Sequence, residues 1–180
     1  CLISGGGSAL CSLPAAPVTT TDMQEMTQLL LSCGAEIDEM NVLRKHIDEV
    51  KGGGIAARVA PAEMITLILS DVIGSPLDII ASGPTVPDSS TYEDMAGILA
   101  KYGLSKAVPA TINELLAAGL DGRRFDTPKA GDPVFHHVNN LLVSSNLAAC
   151  QAAVATAEDL GLNVMLLTTS LRGEARVAGR

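Results

Sequence analysis

Short apolar runs that stop at small or acidic residues alternate along this chain with longer stretches of helical spacing. That alternation predicts an α/β domain built on a mostly parallel sheet. Met64 to Leu69 is the strongest run. It is unbroken and rich in Ile and Leu, the pattern of a strand buried on both faces, and Ser70-Asp71 closes it. Cys1 to Ser4 reads as the end of another strand, turned by Gly5-Gly6-Gly7. Leu141 to Val143 and Val164 to Leu167 read as two more. Asp78 to Ala81 is a shorter strand-like piece before the turn Ser82-Gly83-Pro84-Thr85. Helices are expected from about Thr21 to Gly34, with Thr21 and Gln24 as a capping box, and from Glu36 to Ile47, with Ile37, Met40, Leu43 and Ile47 inward. Further helices are expected from Thr91 to Lys101, with Ser90 and Glu93 as a box, from Pro109 to Ala118, and from Leu147 to Leu160. Gly119 to Asn139 is polar, rich in Gly and Pro, and reads as a long excursion.

Composition removes several classes of function. The 180 residues carry a net charge of -8 and only 2% aromatics, whereas nucleic-acid binding calls for a basic face and stacking rings. An anionic membrane surface would repel the chain for the same reason, and its apolar runs fall short of the roughly 20 residues that cross a bilayer. The hydrophobic fraction of 47% argues for a packed globular domain. Cys1, Cys11, Cys33 and Cys150 form no CxxC pair, so they read as reduced thiols of a reducing, cytoplasmic setting. Cys1 to Ser4 looks like a strand already under way, and Gly173 to Arg180 begins a helical pattern; a piece of a longer chain is expected, so organellar targeting stays open.

Four segments could carry chemistry. Ser4-Gly5-Gly6-Gly7-Ser8 follows a strand, and such a turn points backbone N–H groups into one concavity that a following helix end would make more positive. It is neither a Walker A loop nor the dinucleotide fingerprint, because no Gly-Lys-Ser/Thr follows and Leu10 takes the place of the third glycine. A plain tight turn is the alternative. Asn41, Arg44 and Lys45 share neighbouring faces of one predicted helix, and Lys51 opens the Gly52-Gly53-Gly54 break. They suit a carboxylate or phosphate, with Arg44 offering a bidentate fork; alternatively they are a solvated face balancing Asp38, Glu39, Asp48 and Glu49. Asp71 stands just past the carboxyl end of a buried strand, where open α/β sheets hold their ligands, or it caps the next turn. Ser82, Gly83 and Thr85 complete a set of small-residue turns that should share one edge of the sheet. His136-His137 reads as solvated loop.

In this order the segments resemble the type-2 glycerate kinase family, whose members carry a MOFRL domain at the C-terminus. The resemblance rests on Ile3-Ser4-Gly5-Gly6-Gly7-Ser8-Ala9-Leu10, Asn41-Val42-Leu43-Arg44-Lys45, Lys51-Gly52-Gly53, Ser70-Asp71-Val72-Ile73-Gly74, Ile80-Ala81-Ser82-Gly83-Pro84-Thr85, Ser145-Asn146 and Gly173-Glu174-Ala175-Arg176. It implies a three-layer Rossmann-like domain, incomplete here, with residues 1–168 the central and C-terminal part of the kinase domain. Residues 169–180 would begin the junction to the MOFRL domain. It also implies ATP-dependent phosphorylation of D-glycerate to 2-phosphoglycerate with Mg2+ or another divalent cation, small-molecule partners only, and room for a homo-oligomer. By that resemblance Asp71 orients or deprotonates the hydroxyl, and Ser4, Gly5, Gly6, Gly7 and Ser8 cradle phosphate or the small acid. Lys51 or Arg44 balances the carboxylate or the transferring group, and Arg176 reaches into the same cleft. Asn41, Lys45, Ser82, Gly83 and Thr85 would complete substrate binding. Ser75-Pro76 replaces the Asp that many relatives carry after Ser-Asp-Val-x-Gly, so a second carboxylate ligand is expected only if Asp78 substitutes. Lacking the family's upstream catalytic lysine and downstream domain, the piece alone is expected to be inactive. A hydroxypyruvate reductase and a non-catalytic anion-binding module are the competing readings; the absent dinucleotide fingerprint speaks against the reductase.

Overall fold

The computed structural model describes residues 1–171. Three parallel strands, β1 (Leu2–Ile3), β2 (Met64–Leu69) and β3 (Val138–Ser144), form one sheet in the order β1-β2-β3. Leu2 pairs with Leu67 and Ile3 with Ile68; on the other side Met64 pairs with Val138 and Leu69 with Ser144, across a register shift at Ile68/Leu69. All three strands therefore end at one rim, in Ser4, Ser70 and Ser145. The seven helices of the described residues are α1 (Gly7–Leu10), α2 (Thr20–Ser32), α3 (Ile37–Ile47), α4 (Gly54–Val59), α5 (Tyr92–Lys101), α6 (Ala110–Leu120) and α7 (Asn146–Asp159). An incomplete α/β domain is what this describes.

The core lies between helices. Met26 and Leu30 of α2, Leu43 and Ile47 of α3, Met95 and Leu99 of α5, and Ile112 and Leu115 of α6 are all but inaccessible to solvent. Each set recurs at three- or four-residue steps, which puts it on one stripe of its helix. Burying a side chain of this size stabilises by roughly 1.5–3 kcal/mol, so the eight together anchor the domain.

Several expectations need correction. β2 is buried on one face only: Met64, Thr66 and Ile68 are inside, while Ile65 and Leu69 are 60% and 53% exposed. An unbroken apolar run does not say whether both faces are covered. Ile80–Ser82 is a 3-10 turn and not a strand piece, and Val164 to Leu167 is exposed and forms no strand. At α2 and α5 the capping boxes belong to Thr19 with Asp22 and Thr91 with Asp94, not to Thr21 with Gln24 or Ser90 with Glu93; α3 carries a further one, Glu36 with Glu39. In each box the N3 carboxylate is also placed to complement the helix dipole. Ser90 instead donates to Asp88. Ile37 is 57% exposed, and α4 occupies a stretch with too few residues to reveal a period. The helix expected from Gly173, like Arg176, lies outside the described residues.

Candidate functional site

At the rim where the strands end, a cleft of about 180 Å³ gathers Ser4 to Ser8, Asn41, Arg44, Asp71 and Ala81. Three of the loops singled out by sequence thus meet. The glycines of the first loop make the meeting possible. A Cβ on Gly5 would fall 2.5 Å from Asp71 Oδ2, and one on Gly7 would fall 2.9 Å from the Ala81 Cβ. Gly6, at φ +82, takes the left-handed conformation that starts α1. The N–H groups of Gly5, Gly6 and Ser8 make no hydrogen bond among the described residues, so three donors are left for a ligand. The expected helix end adds little, because α1 has only four residues; the donors of the turn itself are what could meet an anion here.

Asp71 follows β2 and is exposed, with no hydrogen-bond partner among the described residues. Arg44 comes from α3. It is half-buried, burial draws its pKa below the ordinary guanidinium value, and no described carboxylate pairs with it. Its planar fork stays charged and stays free. Asn41, one turn earlier on the same helix, is 4% exposed. Its Oδ1 accepts from Ser82 Oγ at 3.2 Å, and Ser82 Oγ lies 2.5 Å from Ser8 Oγ. Ser82 therefore ties the glycine loop to α3. It does so from a left-handed backbone, φ +62, next to Ala81 at φ +52. Such strain persists only where the surroundings hold it, as the interlock of Gly52 N–H with Ser82 O and Gly53 N–H with Gly83 O does here.

Four other predicted site residues make their contacts outside the Asp71 cleft, although Lys51 also lines cavities shared with Gly5, Gly7, Ser8 and Arg44. Lys45 is buried in an ion pair with Asp88 (3.1 Å), and Lys51 is buried against Asp48 (3.0 Å) and donates to the Cys11 carbonyl (2.6 Å). Thr85 donates to Asn140 Oδ1, joining its turn to β3, and Gly83, at φ +64, packs against the backbone of Asp78. None of the four lines the Asp71 cleft, nor does Asp78. A larger cavity of about 430 Å³ adjoins, shares Ser8 and Arg44, and is walled by Gln24, Thr27 and Lys51. It holds no carboxylate, whereas the smaller cleft brings Asp71 beside Arg44 and the glycine loop.

Sequence reading missed the polar network behind the site. Asp88 accepts from Ser90, Thr127 and Lys45; burial pushes its pKa up, but those partners more than reverse this. His46 bonds the Val42 carbonyl and Asp126 through its two ring nitrogens, both to acceptors. Asp126 is held below the usual carboxylate range because hydrogen bonds from His46 and Thr127 outweigh its burial. The spacing of Asp48 and Lys51 was the one legible sign of such pairing.

The domain of unknown function DUF4147 matches residues 1–117. The chain belongs to that family. It is 43% identical over 175 residues to a glycerate kinase of Rattus norvegicus and 44% identical over 178 residues to a glycerate 2-kinase of Pyrococcus horikoshii. Those matches cover 97% and 99% of this chain but 32% and 40% of the relatives, so the chain spans about a third to two-fifths of their length. The fold agrees with a solved glycerate kinase of Thermotoga maritima, with a TM-score of 0.81 at 42% identity over 99% of this chain and 40% of that one. A solved Pyrococcus horikoshii structure gives 0.80 at 44% identity over the same shares.

Proposed function

We propose that the DUF4147 protein carrying this chain phosphorylates D-glycerate at the expense of ATP, giving 2-phosphoglycerate. The observation that carries the reading is the juxtaposition of a free carboxylate, Asp71, with a loop of unpaired N–H donors and an unpaired guanidinium. Phosphoryl transfer is mostly positioning and charge stabilisation, and these are the parts it uses. Asp71 orients the acceptor hydroxyl and takes its proton as the oxygen attacks the terminal phosphorus and ADP leaves. The donors of Gly5, Gly6 and Ser8 hold phosphoryl oxygens. Lys51, kept with Asp48, supports this loop through Cys11, and the role expected of Arg176 stays a proposal for the wider cleft.

For Mg2+ the fit is partial. Among the described residues no three potential ligands cluster, so Asp71 is the carboxylate on hand beside the phosphate loop. Mg2+ commonly keeps one carboxylate and takes the rest of its shell from phosphates and water, and when bound it would neutralise phosphate charge. Residues 1–168 then form part of a kinase domain and 169–180 lead to a MOFRL domain. The cysteines are free thiols, which supports a reducing, cytoplasmic placing; no described helix is long and apolar enough to cross a membrane. The test is a coupled assay on the complete protein. D-Glycerate should consume ATP, and Asp71→Asn should lower turnover by about 10²–10⁴-fold with an unchanged melting curve. Consumption of NADH by hydroxypyruvate, with no ATP use, would overturn the reading.

A further inference from the structure

Asn41 is the one deeply buried side chain of the cleft whose polar group is half used. Its Oδ1 is taken by Ser82 Oγ, whereas its Nδ2 has no partner among the described residues; the residue itself lines the cavity. Ser82 donates to Asn41 Oδ1, so the hydrogen in the 2.5 Å Ser8–Ser82 contact comes from Ser8. The chain of donors in this arrangement runs from Ser8 to Ser82 to Asn41, which leaves the amide N–H group for a ligand. Arg44 stands one turn along α3 on the same wall, with no carboxylate of its own.

We propose that Asn41 Nδ2 and the Arg44 fork together hold the carboxylate of the acceptor acid, and that Ser82 is the positioning residue that keeps the Asn41 amide turned for it. This rests on the kinase reading and narrows it to a short hydroxy acid bound with its carboxylate on α3 and its hydroxyl toward Asp71. Three features favour a carboxylate over the nucleotide's phosphates at this corner. The cleft measures about 180 Å³, room for a three-carbon acid and the transferring phosphoryl group on the glycine loop but not for a whole nucleotide, a ligand of the class whose sites begin at roughly 300 Å³. A guanidinium fork beside a planar amide matches a planar, singly charged carboxylate. One cation balances one carboxylate, whereas a polyphosphate beside Asp71 would want more positive charge than α3 supplies.

Steady-state kinetics on the complete protein, with D-glycerate and ATP varied separately, test this. Asn41→Asp replaces the inward donor with a second carboxylate. It should raise the KM for D-glycerate roughly 10- to 100-fold while leaving the KM for ATP within about twofold, since a hydrogen bond to a charged group is lost and repulsion is added. Ser82→Gly suits φ +62 and so removes the hydroxyl without straining the turn. It should raise the glycerate KM roughly 3- to 10-fold with kcat nearly unchanged, because the amide is then free to turn. Arg44→Lys keeps the charge but loses the fork, and it stays informative if Asn41→Asp does not fold; its glycerate KM should rise about 10-fold. A rise in the ATP KM instead, or a glycerate KM within about twofold of wild type in the folded variants, would overturn the assignment while leaving the kinase reading intact. Wild-type protein that turns over no glycerate would overturn both.

Discussion

Helix α3 has two polar faces, and they have been put to opposite uses. On one, Lys45 and His46 are buried and matched: Lys45 with Asp88, His46 with Asp126. On the other, Asn41 and Arg44 line a cleft with an amide nitrogen and a guanidinium that no described group satisfies. Residues one position apart thus separate into fold and site. The lesson is that charge alone does not mark function. A buried cation beside its carboxylate belongs to stability, where losing one partner strands the other, while an unmatched one in a cavity marks the place a ligand's charge would occupy.

Substitutions on the matched face should cost stability and little chemistry, and those on the open face the reverse. The largest effect on folding is expected from Lys45→Met, which leaves the buried Asp88 carboxylate without its cation. Urea unfolding of the complete protein should show a loss of about 3–5 kcal/mol. Next comes Gly5→Ala, whose Cβ would sit 2.5 Å from Asp71 Oδ2. It should reduce turnover by about 10-fold or more by displacing that carboxylate, with melting changed little, since misplacing a reacting group is costly to rate.

Acid should undo the paired carboxylates, on that face and beyond it. The pKa values of Asp88, Asp126 and Glu49 are lowered, and that of Glu39 is drawn down to about 2 by Lys101, Tyr102 and the Glu36 N–H. Groups lowered in the folded state stabilise above their unfolded values near 4, and that stability drains away as pH falls through the folded values. Urea midpoints should therefore hold above about pH 5 and fall steadily toward pH 2. A flat profile would mean that the pairs contribute nothing. The smallest effect is expected from Arg44→Ala, which breaks no described ion pair and should shift stability by less than about 0.5 kcal/mol. A loss as large as that of Lys45→Met would erase the distinction between the faces.

Much of this was legible in the letters. Gly5-Gly6-Gly7 after a strand, and Asp71 closing the strongest apolar run, were enough to place both at one rim, because parallel strands must end together. The helical core followed from spacing, as Met26 with Leu30 and Leu43 with Ile47 illustrate. Two things were out of reach for physical reasons. Which cations face the cleft depends on partners far away in sequence: Lys45 finds Asp88 and His46 finds Asp126 across loops that no local pattern encodes. The Ser8–Ser82–Asn41 chain depends on left-handed backbone at Ala81 and Ser82, which neither residue type advertises. The alternating exposure of β2 was equally hidden, since Ile65 and Leu69 look the same whether or not a layer covers them.

The most direct test is a crystal structure of the complete protein with D-glycerate bound. The account predicts the carboxylate on Arg44 and Asn41 and a hydroxyl within hydrogen-bond reach of Asp71, beside the Gly5–Gly7 loop. Glycerate found away from that cleft, with Asp71 still without a ligand, would contradict it.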